Sequence, residues 1–167
     1  MRSLYSLLLY LLIPLALTRL AWRGLRNRGY WHRWAERFGF VQRLEGPVIW
    51  VHAVSVGEVR ASAPLVKALA RDYPGHRILI TTMTPTGSAT VRELFGDSVA
   101  HCYVPYDLPT AVWRFLNRTR PRLALIMETE LWPNLFHQCH KRGIPLILAN
   151  VRMSEKSAYG YRRFAGF

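Results

Sequence analysis

Five short apolar runs, each followed by a segment of helical spacing, constrain this chain more than any other feature. "PVIWVHAV" (47–54), "HRILITTM" (76–83), "SVAHCYVPYD" (98–107), "RLALIME" (122–128) and "IPLILANVR" (144–152) read as strands. The segments 58–73, 87–96, 108–121 and 130–143 read as the helices between them, with Gly96 and Gly143 at two helix ends and Pro121 after a third. Apolar runs without alternation suit strands covered on both faces. Strand and helix recurring at intervals of ~25 residues require right-handed crossovers, hence a parallel sheet. The expected fold is therefore α/β, a Rossmann-like parallel sheet.

The first forty residues follow a different pattern. "LYSLLLYLLIPLALT" (4–18) carries no charge and is followed by "RLAWRGLRNRGYWHRW", so residues 1–40 hold seven arginines against the single acid Glu36. A bilayer span needs ~20 apolar residues, which this run reaches only if Leu20 to Trp22 are included. A cleaved leader would place its charges before the apolar run and small residues after it, whereas here Arg2 stands before the run and a basic cluster after it. The segment 1–40 thus reads as a membrane anchor with a basic amphipathic extension, its downstream body cytoplasmic by the positive-inside rule. The alternative is a buried amphipathic helix packed on the domain.

The net charge of +13 and a pI near 10.7 point to anionic partners: phosphorylated substrate, anionic lipid or nucleic acid. No nucleic-acid motif accompanies the charge, and the apolar N-terminus argues against that class. Two cysteines, Cys102 and Cys139, suit free thiols in a reducing compartment. The final "SAYGYRRFAGF" carries no stop signal and reads as a cut inside a longer protein.

In parallel α/β sheets the working residues lie beyond the carboxyl ends of the strands. That rule selects 52–58, 81–87, 105–107, 128–134 and 150–154. In "VHAVSVGEV" (51–59) a lone acid, Glu58, stands where a glycine-rich phosphate loop would otherwise sit, with Ser55 and Gly57 beside it. A carboxylate in the first turn of a helix is favoured by ~0.3–1 kcal/mol through the helix dipole and free amides. An ionised, partly desolvated Glu also suits a general base for a sugar hydroxyl, so cap and base both remain open. In "METELWPN" (127–134), Glu128 and Glu130 beside Trp132 suit either hydroxyl recognition or capping. "TTMTPTG" (81–87) offers Thr82 and Thr84 at a helix start, for a sugar or anion or for capping alone. "NVRMSEKS" (150–157) brings Arg152 and Ser154 to the same edge, a fair contact for phosphate or carboxylate. His137 and His140 lie one helical turn apart but mid-helix, away from that edge, so no metal site is expected.

Taken together and in order, "RFG" (37–39), "WVHAVSVGEV" (50–59), "TTMTPTG" (81–87), "VPYD" (104–107), "METELWPN" (127–134) and "NVRMSEKS" (150–157) resemble the N-terminal half of the 3-deoxy-D-manno-octulosonate (Kdo) transferases. The resemblance implies a GT-B glycosyltransferase whose first domain, here 41–167, binds the acceptor, with the donor domain missing. It implies inverting transfer of Kdo from CMP-Kdo to a lipid A precursor, at the cytoplasmic face of the inner membrane, with no cofactor or metal. Glu58 matches the family's general base and Glu128 a second essential acid. Ser55, Gly57, Thr82, Thr84, Glu130, Arg152 and Ser154 become acceptor-binding candidates, and Arg33, Arg37 and Arg60 candidate phosphate contacts. Anionic inner-membrane lipids are the expected surface and nucleic acid is not an expected partner. The other reading is a non-catalytic, membrane-docked lipid A-binding module.

Overall fold

The computed structural model describes residues 2–128 and 132–150. Helix α1 (Arg2–Arg26) is followed by two short 3-10 turns, Arg28–Trp31 and Trp34–Phe38. Five strands then alternate with four helices: β1 (Val48–His52), α2 (Val56–Asp72), β2 (Arg77–Thr82), α3 (Pro85–Phe95), β3 (Ala100–Tyr103), α4 (Pro109–Thr119), β4 (Pro121–Met127), α5 (Pro133–Lys141) and β5 (Leu146–Ala149).

All pairings are parallel and the strand order is β3-β2-β1-β4-β5, the order of a doubly wound sheet. β1 is central, with His52 aligned to Thr81 on one side and to Ile126 on the other. Alternate residues of the strands feed two separate cores. Val48, Trp50, Leu79 and Ile126 pack with Phe115, Leu116 and Leu135 of α4 and α5. Ile49, Val51, Ile80 and Leu125 pack with Val59, Val66 and Val91 of α2 and α3. Because both faces are covered, the strand runs are apolar throughout, as the sequence pattern requires.

Three boundaries differ from the sequence reading. β3 ends at Tyr103, whereas the apolar run extends to Asp107. After Val104 donates to Thr82 O, the chain turns away, and Tyr106 N donates to Arg37 O instead of to a strand. α5 starts at Pro133, where Pro sits in the first turn, so Glu130 precedes the helix and itself lies outside the described residues. The helix read from residue 87 begins two residues earlier at Pro85, with Thr84 as its cap.

The "RFG" block belongs to the packing of this domain. Arg37 is buried, and it donates from Nη2 to Met83 O and stacks over the Tyr103 ring. Phe38 meets Tyr106 edge-on. Gly39 has φ +80°, and a Cβ there would fall 2.2 Å from Ala111 O, so the loop approaches the α4 backbone as closely as it does only with glycine.

Candidate active site

The parallel sheet brings the carboxyl ends of its strands to one edge, where Glu58 lies in the first turn of α2 after the central strand β1 and Glu128 directly follows β4. Ser55 is the N-cap of α2 and Glu58 its third residue, a capping-box spacing. Ser55 Oγ accepts from Glu58 N at 3.3 Å and donates to Glu58 Oε1 at 2.8 Å, while Val54 N donates to Oε2 at 2.8 Å. Glu58 is therefore buried, clamped by one hydroxyl and one amide, and each carboxylate oxygen keeps a lone pair for a further donor. The cap and base readings are met by the same geometry. Gly57 is exposed beside it, and a Cβ there would meet only Ser55 Oγ, at 3.8 Å. Packing does not demand this glycine.

Glu128 closes β4. It is exposed, its amide donates to Ala149 O at 2.9 Å, and its φ of 59° lies in the left-handed region. For a glutamate this conformation costs about 1–2 kcal/mol, and such strain concentrates where a side chain has to be aimed.

Thr84 caps α3, accepting from Gly87 N at 3.0 Å, and it meets Thr86 Oγ1 at 3.2 Å. Thr82 is buried and its hydroxyl pairs with His101 Nε2 at 3.1 Å. The arginines named from the sequence divide. Arg60 is exposed on α2. Arg33 is tied inward, to Glu36 at 2.8 Å and to His101 O at 3.0 Å, and Arg37 is buried as described. The buried Nε of Arg37 has no hydrogen-bond partner among the described residues. Glu130, Arg152 and Ser154 lie outside the described residues. Among the described residues, no group of three His, Cys, Asp or Glu side chains is placed to hold a metal.

Two residues fall within the loops selected from the sequence, but sequence reasoning assigned them no role. His52, at the end of β1, is fully buried; its Nδ1 meets Thr81 Oγ1 at 2.9 Å, which also accepts from Trp50 Nε1 at 2.8 Å. Burial lowers its pKa to about 4, against the opposing pull of Thr81, and its Nε2 has no hydrogen-bond partner, with the Trp132 ring standing edge-on 5.9 Å away. A histidine within an apolar strand carries no local signal of that burial. Asp107 is the second. Its carboxylate accepts from Asn134 N at 3.0 Å and Leu135 N at 2.8 Å, closing the N-terminus of α5, whose own cap residue Trp132 provides no side-chain cap. Burial raises its pKa while those amides and the Tyr5 hydroxyl pull it down. Its partners lie 27 and 28 residues along the chain, so no local spacing reveals this capping role.

A cleft of about 310 Å³ opens between α1 and this edge, lined by Arg19, Arg23, Tyr30, Arg37, Val54 and Thr84 among others. The Val54 in its wall is the residue whose amide holds Glu58.

A doubly wound α/β domain with a clamped carboxylate at the mouth of its first crossover helix, flanked by an apolar helix and a cationic cleft, belongs to the class of parallel α/β domains whose sites lie at the sheet's carboxyl edge. Residues 32–167 match the family model described as 3-deoxy-D-manno-octulosonic-acid transferase (kdotransferase), and the chain belongs to this family. It is 47% identical over 163 residues to the 3-deoxy-D-manno-octulosonic acid transferase of Haemophilus influenzae, covering 96% of this chain and 38% of that protein. It is 40% identical to the Bordetella pertussis enzyme of the same name, covering 93% of this chain and 38% of that one. A probable mitochondrial transferase of Arabidopsis thaliana is also 40% identical, over 92% of this chain and 35% of its own length. The chain thus spans little more than a third of the relatives it matches.

Proposed function

We propose that this chain is the acceptor-binding half of an inverting GT-B glycosyltransferase that moves Kdo from CMP-Kdo to a lipid A precursor at the cytoplasmic face of the inner membrane. The observation that carries the reading is the clamp on Glu58. Its carboxylate is oriented by Val54 N and Ser55 Oγ at the carboxyl edge of the central strand, with lone pairs left over. As the acceptor hydroxyl attacks the anomeric carbon, Glu58 takes its proton, the new C–O bond forms, and the bond from that carbon to the CMP phosphate oxygen breaks on the opposite face. Glu128, on the neighbouring strand of the same edge, positions the acceptor. Ser55 and Thr84 line its path, the exposed backbone at Gly57 gives it room, and the roles assigned to Glu130, Arg152 and Ser154 in acceptor binding rest on the family resemblance. Phosphates of the acceptor meet the cationic cleft of Arg19 and Arg23, together with Arg60. Arg33 acts beneath it by holding His101, whose ring pairs with Thr82, and Arg37 by holding Met83 O.

In the full-length enzyme, Glu58→Gln is expected to abolish Kdo transfer while binding of the lipid A precursor survives; near-normal turnover would end the base assignment. A second reading, a membrane-docked lipid A-binding module without chemistry, draws on the exposed apolar face of α1. Turnover by the full-length protein that depends on Glu58 would remove it.

A further inference from the structure

Among the described residues, α1 is the one helix long and apolar enough to cross a membrane by length and composition. Its packing argues for a different use. Tyr5 Oη donates to Asp107 at 3.1 Å, Ser6 Oγ donates to Asn134 Oδ1 at 3.1 Å, and Tyr10 Oη pairs with Thr110 Oγ1 at 2.8 Å. At the far end Leu20 and Gly24 are buried, and Trp31, folded back over Gly24, donates to Ala21 O. The helix is therefore fastened alongside its own domain at both ends. The opposite arc carries Leu4, Leu7, Leu8, Leu11 and Leu15, all at least half exposed, and continues into Arg19, Trp22 and Arg26, the last stacked over the Trp22 ring. These positions recur at three and four residues, one stripe of a helix.

We infer that α1 does not cross the bilayer but lies in the plane of one leaflet, its leucine stripe in the acyl layer and Arg19, Trp22 and Arg26 among anionic headgroups. A crossing orientation would carry Asp107, Asn134 and Thr110 into the hydrocarbon beside Tyr5, Ser6 and Tyr10, where such groups are strongly disfavoured. The stripe is also too short. Leu4 to Leu15 covers about 17 Å at 1.5 Å per residue, against a hydrocarbon core of ~30 Å. A helix with one apolar face, a hydroxyl-bearing opposite face, and Trp and Arg at its end suits the interface. The in-plane pose also turns the cleft between α1 and the sheet edge, lined by Ala16, Leu20, Val54 and Thr84, toward the leaflet. A lipid substrate then reaches Glu58 from the side. This inference deepens the proposed membrane location, and its tests read depth and topology rather than transfer, so the two fail separately.

The experiment uses full-length protein carrying Leu8→Cys or Leu15→Cys with a fluorophore attached, in phosphatidylcholine–phosphatidylglycerol vesicles containing lipids brominated at defined depths. Native Cys102 and Cys139 are buried and do not compete for the label. Equal quenching depth at both sites is expected; a difference approaching 10 Å, the rise over seven helical residues, would overturn the proposal. Ser3→Cys in intact cells should resist a membrane-impermeant maleimide and react in inside-out vesicles; labelling from outside would overturn it. Leu8, Leu11 and Leu15 changed together to Glu should release the protein from phosphatidylglycerol-containing vesicles with an unchanged unfolding temperature. Retention on those vesicles would count against it.

Discussion

Glu58 Oε2 accepts a hydrogen bond from the backbone amide of Val54, four residues earlier, at 2.8 Å. That bond turns the carboxylate back across the N-terminus of α2, toward the end of the central strand. Ser55 holds the other oxygen. Replacing Glu58 by Gln keeps one acceptor for Val54 and the length of the side chain. The expected cost in stability is about 1 kcal/mol, while the proposed role of Glu58 as general base predicts a fall in kcat of about 10²–10⁴-fold. Thermal unfolding beside a CMP-Kdo transfer assay separates the two, and a fall in stability as large as the fall in activity would sink the assignment.

Gly57 offers a complementary test. A methyl group there meets only Ser55 Oγ at an ordinary contact distance, and alanine in a helix is favoured over glycine by roughly 0.5–1 kcal/mol. Gly57→Ala is expected to unfold at the same or a higher temperature, yet to raise KM for the lipid acceptor if the acceptor passes over this turn. An unchanged KM would move the acceptor path elsewhere.

At Glu128 the prediction runs against ordinary intuition. Its φ of 59° favours glycine, so Glu128→Gly is expected to gain about 1 kcal/mol of stability. Transfer activity should drop by at least tenfold, because the carboxylate is gone from the site edge. A variant that is both more stable and fully active would reduce Glu128 to a turn residue.

His52 predicts an acid limb of instability. Its folded pKa is lowered to about 4, so it stays neutral in the native state while an unfolded histidine takes up a proton below ~6.5. The unfolded state therefore binds more protons, and stability falls as pH drops from about 6.5 toward 4, by up to ~1.4 kcal/mol per pH unit from this group. His101, lowered to about 3 by burial and then by Arg33 and Arg92, contributes with the same sign. Denaturant unfolding of wild type and His52→Gln across this range is the measurement; parallel pH profiles would exclude His52 as a source.

Asp107→Ala removes the cap of α5 and the partner of Tyr5 together. A lost N-cap costs about 0.5–2 kcal/mol. The variant should melt earlier and α1 should become more open to proteolysis in detergent, whereas Tyr5→Phe should affect the second readout only. Equal protection of α1 in all three proteins would show that the tie does not hold the helix.

Much of this was legible in the chain itself. The apolar runs around Val51, Ile80 and Ile126 declare buried parallel strands because a strand covered on both faces has no solvent side to mark with polar residues. Once the sheet is parallel, the placement of Glu58, Thr84 and Glu128 at one edge follows from connectivity alone. The S-x-x-E spacing of Ser55 and Glu58 likewise encodes its own capping contacts, which are local. Tertiary structure decided what depends on distant partners. That Asp107 plugs a helix 27 residues onward, that Arg37 is buried under Tyr103, and that His52 ends neutral against Thr81 are products of packing between elements. The same holds for α1. Composition shows an apolar helix, but whether it crosses a bilayer or lies along one depends on what its hydroxyl face touches, and Tyr5 and Asp107 meet only when the sheet has folded.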